Sequence, residues 1–218
     1  MKTKIQQSLG LGLLVMFLAL ALSVHTQAPW LHTFDAAFSR LASKAVTAPN
    51  TVLFKVIGTL ASPALVLGLT ALLCGWLWHR RDLCLAVWIG GVQLIGSTLA
   101  EGFKQLVARL RPLHQLVADS GYSFPSGHTF CTVLLVASLL MLGLPLLDNQ
   151  ELQLVAVLLG IVWTSLVAIS RVYLRDHYAS DVLGSVLLAL GYWLVITPYA
   201  TAVQTGLRRM IPERIQSL

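Results

Sequence analysis

The chain has 218 residues, of which 56% are hydrophobic and only 11% are charged, and its mean hydropathy is +0.77. This composition excludes a soluble globular protein, because so much apolar surface would overfill a soluble core, and it predicts an integral membrane protein with one domain over residues 1–218. The net charge of +6 does not indicate a nucleic-acid partner, since the lysines and arginines are scattered among membrane-length segments and form no basic face.

Six apolar stretches predict an all-α polytopic fold with six transmembrane helices. A spanning helix needs about 20 apolar residues, and the stretches lie at 9–24, 56–78, 83–100, 129–147, 152–170 and 182–203. The first contains an Ala19-x-Ala21 pattern that also occurs at signal-peptide cleavage sites. We expect it to be retained as a span, because the apolar run continues to Val24 and the charges support an even number of spans.

The segment from His25 to Asn50 is interpreted as the longest connection, and residues 31–45 within it are predicted to form a short amphipathic helix. Cations elsewhere follow the positive-inside rule if both termini are cytoplasmic. The cytoplasmic set is then Lys2, Lys4, Arg80, Arg81, Arg208, Arg209 and Arg214, and the extracytoplasmic set is Arg40, Lys44 and Lys55. This orientation places residues 101–128 and 171–181 on the same extracytoplasmic side.

The first motif covers residues 104–112 and contains Lys104, Arg111 and Pro112. Lys104 and Arg111 are two helical turns apart, so we expect them to project from one helix face before Pro112 ends the segment, where together they can hold one phosphate. Lysine and arginine are also common at the ends of spans, where they reach toward the interface without binding a ligand. Glu101 precedes Lys104 by one turn and is expected to pair with it.

The second motif, at residues 123–128, precedes an apolar span and places Pro125 and Ser126 where helices begin. The free N–H groups of a first helical turn bind anions, Gly127 permits close approach of the backbone, and Ser126 adds a hydroxyl donor. His128 then lies within reach of a bound group. The alternative interpretation is a helix cap followed by a histidine at the interface.

The third motif, at residues 170–181, combines Arg171, His177 and Asp181. The spacing of four between His177 and Asp181 allows the carboxylate to orient the imidazole, which leaves the other ring nitrogen as a nucleophile for phosphorus. A carboxylate at the start of an apolar span also favours a functional role, although an acidic residue near a helix N-terminus is stabilised by the helix dipole alone. Arg175 and Asp176 are expected to pair with each other.

These three motifs, Lys104-x6-Arg111-Pro112, Pro125-Ser126-Gly127-His128 and Ser170-Arg171-x5-His177-x3-Asp181, resemble the signature of the type 2 phosphatidic acid phosphatase superfamily. Its members are integral-membrane lipid phosphate phosphatases related to vanadium haloperoxidases. The resemblance implies that Lys104, Arg111 and Arg171 hold the phosphate together with Ser126 and Gly127. It further implies that His177 attacks phosphorus, that His128 protonates the leaving oxygen, and that Asp181 supports His177.

The resemblance implies a hydrolase of a bacterial plasma membrane that acts on undecaprenyl diphosphate, with phosphatidylglycerophosphate or phosphatidic acid as competing substrates. A lipid phosphotransferase with the same site, a haloperoxidase and a non-enzymatic lipid-binding protein are less favoured alternatives. No histidine or cysteine spacing of metal-ligand type is present, so the sequence predicts no metal site and no other cofactor. The expected partners are the lipid substrate and the bilayer, without an obligate protein partner.

Overall fold

The computed structural model describes residues 2–210, and within that range the chain is built from nine α-helices without a strand. The helices are α1 (Lys2–His25), α2 (Pro29–Lys44), α3 (Ala48–Leu60), α4 (Pro63–His79), α5 (Leu83–Val107), α6 (Gly127–Gly143), α7 (Gln150–Tyr173), α8 (Ala179–Ile196) and α9 (Ala200–Met210). The predicted all-α fold is confirmed. Arg214, which entered the orientation argument, lies outside the described residues.

The helices of the described residues supply five or six candidate membrane spans, where the sequence predicted six. By length and composition, five segments are suited to cross a membrane: Thr3–His25, Leu83–Val107, Gly127–Leu146, Gln150–Tyr173 and Ala179–Met210. Helices α3 and α4 meet the same criteria only as a pair, and they are bent by 44° at their break. Counted as one span, this bent pair brings the number of candidate spans to six.

The break between α3 and α4 interrupts the apolar stretch 56–78, which the sequence analysis treated as continuous. Ser62 caps α4, since its hydroxyl accepts a hydrogen bond from the Leu65 N–H at 3.4 Å. Pro63 occupies the first turn of α4, where its missing N–H costs nothing but where it cannot continue the preceding helix. The Ser-Pro pair thus ends one helix and starts the next inside a single apolar run.

Helix α2 is the predicted amphipathic helix, although it begins at Pro29 and ends at Lys44. It buries Leu31 and Asp35 and exposes the large side chains Trp30, Phe38 and Leu41. A buried aspartate on such a helix requires polar partners, and Asp35 finds them in α8 and in the segment after α5, as described below.

The core lies between α1, α5, α6 and α8. Phe17, Phe124, Phe130, Leu134 and Leu188 are all essentially inaccessible to solvent. Helices α1 and α8 approach closely through Gly10 and Gly191, because a Cβ atom at Gly10 would lie 2.9 Å from the Leu194 Cβ and one at Gly191 would lie 2.9 Å from the Leu14 side chain. Small residues at such contacts are typical of helix packing in membranes.

Four helix ends meet at one end of this bundle and carry the three motifs. They are the C-terminal ends of α5 and α7 and the N-terminal ends of α6 and α8. The segment 108–126 connects α5 to α6 across this end without helical structure. The opposite end holds the start of α1, whose Gln6 amide donates to the Leu194 carbonyl near the end of α8.

Candidate active site

Lys104 lies on the last turns of α5, but Arg111 does not lie on the same helix. Helix α5 ends at Val107, and Ala108 adopts a left-handed conformation with a φ of 50°. The expectation that both cations project from one helix face is therefore wrong. Arg111 lies in the irregular segment after Ala108. Lys104 lies on α5 and pairs with Glu101 at 3.7 Å, as predicted.

Helix α6 begins at Gly127 beside these cations. Ser126 is its N-cap, with its hydroxyl accepting from the Thr129 N–H at 3.4 Å. The Lys104 Nζ lies 3.8 Å from the position that a Cβ atom would occupy at Gly127. The first turn of the helix, its capping serine and an ammonium group thus converge, which is the arrangement that binds anions at helix N-termini.

Arg111 and Arg171 flank the carboxylate of Asp176, which is fully buried. Arg111 Nη1 lies 2.6 Å from Asp176 Oδ1, and Arg171 Nη1 lies 3.3 Å from Oδ2. The expected pairing of Asp176 with Arg175 is wrong, because Arg175 has a φ of 55° and its guanidinium contacts the Ser43 hydroxyl instead. Asp176 therefore contacts two cations from different motifs.

The imidazole of His177 is oriented chiefly by a backbone carbonyl. Its Nδ1 lies 2.7 Å from the Ser123 oxygen, and the Asp181 Oδ2 lies farther away, at 3.5 Å. A carbonyl oxygen only accepts hydrogen bonds, so Nδ1 carries the proton in this arrangement. The sequence analysis assigned this role to Asp181 alone, because a backbone oxygen leaves no mark in a motif.

The other nitrogen of His177 faces the cations. Nε2 lies 3.4 Å from Arg111 Nη1 and 3.5 Å from Asp176 Oδ2. A guanidinium only donates, so it is satisfied by a lone pair on Nε2, which is the form a nucleophile requires. His128 lies beside the other arginine, with its Nε2 3.3 Å from Arg171 Nη1.

Arg109, which the sequence analysis did not assign, links Asp181 to helix α2. Its Nη1 lies 2.6 Å from Asp181 Oδ1 and its Nη2 lies 2.6 Å from Asp35 Oδ2, while its guanidinium stacks 3.8 Å from the Tyr178 ring centre. Burial lowers the pKa of Arg109, but the charges and hydrogen bonds of Asp181 and Asp35 outweigh this and leave the pKa raised. Asp35 also accepts from the N–H and hydroxyl of Ser180.

Tyr178, which stacks on Arg109, immediately follows the candidate nucleophile. Burial raises the pKa of its phenol, so Tyr178 remains neutral beside the two aspartates. Its backbone N–H donates to Asp181 Oδ2 at 2.8 Å. The first turn of α8 and the chain that carries His177 are therefore fixed by the same carboxylate.

Among residues 2–210, one group offers the spacing of a metal site. His128, Asp176 and His177 each present a ligand atom, and these atoms lie within 4.8 Å of one another. The carboxylate in this group already has guanidinium nitrogens at 2.6 and 3.3 Å, and a cation placed there would be repelled by both. The charges favour an anion at this place over a metal ion.

The structure brings together all eight side chains and backbone groups that the motifs nominated. These are Lys104, Arg111, Ser126, Gly127, His128, Arg171, His177 and Asp181. Sequence analysis missed Arg109, Asp35 and the Ser123 carbonyl and misassigned Asp176. The only signal for Arg109 was an additional arginine between Lys104 and Arg111, and Asp35 carried no signal because its partners are distant in the chain.

Comparisons with known proteins identify the family of the chain. The PAP2 superfamily model matches residues 81–204, a range that contains all three motifs. Phosphatidylglycerophosphatase B of Bacillus subtilis (strain 168) is 32% identical over 188 residues, which cover 82% of this chain and 88% of that protein. Phosphatidylglycerophosphatase B of Haemophilus influenzae is 41% identical over 87 residues, covering 38% of this chain and 33% of that one.

A solved structure matches the whole architecture. The crystal structure of a transmembrane PAP2 type phosphatidylglycerolphosphate phosphatase from Bacillus subtilis aligns with a TM-score of 0.72 and 26% identity, covering 93% of this chain and 97% of that one. The matched range, the identity and the shared fold confirm the resemblance that the three motifs predicted. The chain belongs to the PAP2 superfamily and is a multi-pass membrane phosphatase that acts on lipid phosphates.

Proposed function

We propose that this phosphatase works without a metal ion and through a phosphohistidine intermediate on His177. The observation that carries the proposal is the position of His177 Nε2, which offers a lone pair beside Arg111 at 3.4 Å while Nδ1 donates to the Ser123 carbonyl. Phosphoryl transfer requires positioning and charge compensation more than covalent assistance. The cations Lys104, Arg111 and Arg171, together with the first turn of α6, supply that compensation.

The first chemical step forms a bond between His177 Nε2 and phosphorus and breaks the bond from phosphorus to the leaving oxygen. His128, which lies beside Arg171, gives a proton to that oxygen. In the second step water attacks phosphorus, His128 accepts its proton, and the bond to Nε2 breaks to release inorganic phosphate. During both steps the protonated Nδ1 donates to Ser123, and the charge that develops on the ring is stabilised by Asp181.

Two lipids are the leading substrates. The names of the relatives support phosphatidylglycerophosphate, whereas the sequence analysis favoured undecaprenyl diphosphate. Both present a terminal phosphate at the membrane surface, and the residues of the proposed site are suited to hold that phosphate and not the tail. An apolar groove of about 540 Å³ opens between α2, α3, α7 and α8 at the same end of the bundle, and this groove is suited to a lipid chain.

We further propose that the site faces the extracytoplasmic side of a bacterial plasma membrane. The cations Lys4, Arg80 and Arg81 lie toward the end opposite the site, as do Arg208 and Arg209 of α9. This distribution agrees with the positive-inside rule if that end is cytoplasmic. Reaction of a single cysteine introduced at Ser120, in the segment over the site, with a membrane-impermeant reagent in intact cells tests the orientation, and protection there would contradict it.

The function is tested by phosphate release from purified protein in excess EDTA. Phosphatidylglycerophosphate, undecaprenyl diphosphate and phosphatidic acid are compared in the same detergent, with His177→Ala as the test variant and His79→Ala, at the exposed end of α4, as the matched control. We expect release with the wild type and with His79→Ala and none with His177→Ala. Activity that requires added metal, or that survives in His177→Ala, would contradict the proposal.

A further inference from the structure

Helix α3 carries a single charged residue. Its sequence is APNTVLFKVIGTL, and the lysine is Lys55. Leu53, Val56 and Leu60 are exposed on the adjoining face, as expected for side chains that contact lipid. Lys55 precedes the apolar stretch 56–78, and its side chain is exposed, so at this end of α3 it requires water or a polar cavity.

Lys55 lines a cavity that opens onto the active site. The cavity has a volume of about 440 Å³, and its lining includes Gly58, Thr59, Asp119, His128 and Arg171. Lys55, Gly58 and Thr59 lie on one face of α3, since residues three and four apart are neighbours on a helix. Because Gly58 has no side chain, the Arg171 guanidinium lies directly against this face of α3.

The other charged side chains that line the cavity have partners of opposite charge, so none of them neutralises the ammonium group of Lys55. Asp119, the carboxylate of the lining, lies 3.3 Å from Arg111 Nη2. Arg171, the other cation of the lining, lies 3.3 Å from Asp176. Within residues 2–210, the Lys55 side chain takes part in no ion pair or hydrogen bond, and the Thr59 hydroxyl contacts only the backbone carbonyl of Lys55.

The cavity lies on the leaving-group side of the site. In phosphoryl transfer the attacking and leaving atoms are roughly in line on opposite sides of phosphorus. His177 is the proposed attacking group and does not line the cavity, whereas His128, the proposed donor to the leaving oxygen, does. The part of the substrate that departs from the transferred phosphate therefore enters the space beside Lys55.

From this arrangement, and resting on the proposed function, we infer that Lys55 binds a second phosphate group carried by the leaving portion of the lipid. The substrate class is thus a lipid with a terminal phosphate and a further phosphate near it. That further phosphate is the adjacent one in an isoprenoid diphosphate or the phosphodiester of phosphatidylglycerophosphate. Phosphatidic acid has no such group, so its hydrolysis does not use Lys55.

The test compares kcat/KM for undecaprenyl diphosphate, phosphatidylglycerophosphate and phosphatidic acid in one detergent. Lys55→Gln removes the charge and leaves a polar side chain one atom shorter, Lys55→Arg keeps the charge, and Lys44→Gln at the exposed end of α2 is the matched control. We expect Lys55→Gln to lower kcat/KM by about 10- to 100-fold for a lipid with two phosphates, the usual effect of losing a charge-assisted hydrogen bond. Phosphatidic acid should change by less than about twofold, within the scatter of surface substitutions.

The outcomes separate the inference from the proposed function. A selective loss with either two-phosphate lipid, restored in Lys55→Arg, supports the inference, and the lipid affected shows which second phosphate is bound. An equal loss with all three lipids, or no loss, overturns it and leaves Lys55 as a cation that reaches toward the membrane interface. If the wild type releases no phosphate from any of the three, the proposed function itself fails, and the inference fails with it.

Discussion

Replacing Arg109 by methionine removes the guanidinium that joins Asp35 to Asp181. Both ion pairs have a separation of 2.6 Å, and the two carboxylates are 5% and 0% exposed. Removal of one partner from a buried ion pair typically costs about 3–5 kcal/mol, because the remaining charge stays buried without compensation. Since Asp35 and Asp181 both lose this cation but keep their contacts with Ser180 and with the Tyr178 N–H, we expect the free energy of unfolding of Arg109→Met to fall by about 3–5 kcal/mol.

The catalytic rate should fall as well, because Asp181 also contacts the Tyr178 N–H and the His177 ring. A displacement of about 1 Å at a reacting group can cost about 100-fold in rate, so we expect kcat to fall by about 10- to 100-fold with little change in KM.

Two measurements check this prediction in detergent: thermal unfolding, and steady-state kinetics well below the melting temperature of the variant. A loss of 3–5 kcal/mol corresponds to a melting temperature about 6–20 °C lower. Arg109→Lys keeps one charge and should be intermediate, and Arg40→Met, on the exposed face of α2, is the matched control. Unchanged stability and unchanged kcat in Arg109→Met would refute the role of the network.

Two further predictions concern the cations that surround the nucleophile. Gly58→Ala places a Cβ atom against the Arg171 guanidinium; the side chain can move, so we expect stability to change little while KM rises by about tenfold or more, the effect of losing one charge-assisted contact. Gly68→Ala, which meets no neighbouring atom, should leave KM unchanged, and equal kinetics in the two variants would contradict the placement of Arg171. Asp176→Asn removes the carboxylate that competes with phosphate for Arg111, so inhibition by inorganic phosphate should become about tenfold tighter. Weaker inhibition would instead indicate that Asp176 orients the arginines.

The sequence predicted the composition of the site better than its geometry. The motifs nominated His128, Arg171 and His177, because their chemistry depends on residue type and spacing, and both can be read directly from a chain. Apolar stretches of the right length likewise predicted a helical membrane protein, and five or six of its segments are suited to cross a membrane. The spacing did not predict the path of the chain. Helix α5 ends at Val107, Ala108 is left-handed, and Arg111 lies in the irregular segment that follows.

The remaining differences arise from contacts between residues that are distant in the chain. Asp35 meets Ser180 and Arg109 only after α2 packs against α8, and nothing in the local sequence of α2 signals such a partner. The Ser123 carbonyl is a backbone group and is therefore invisible in residue identities. The break at Ser62 and Pro63 did have a local signal, the capping residue followed by proline, but the apolar composition on both sides concealed it.

The central claim is that His177 attacks phosphorus with Nε2, and trapping of the intermediate tests it most directly. Protein mixed with lipid substrate for a short time is quenched in alkali, where phosphohistidine survives, and the modified residue and ring nitrogen are identified by mass spectrometry and phosphorus NMR. We predict phosphate on Nε2 of His177, because Nδ1 is held by the Ser123 carbonyl at 2.7 Å. Phosphate on Nδ1 or on His128, or turnover without any phosphorylated histidine, would contradict the account.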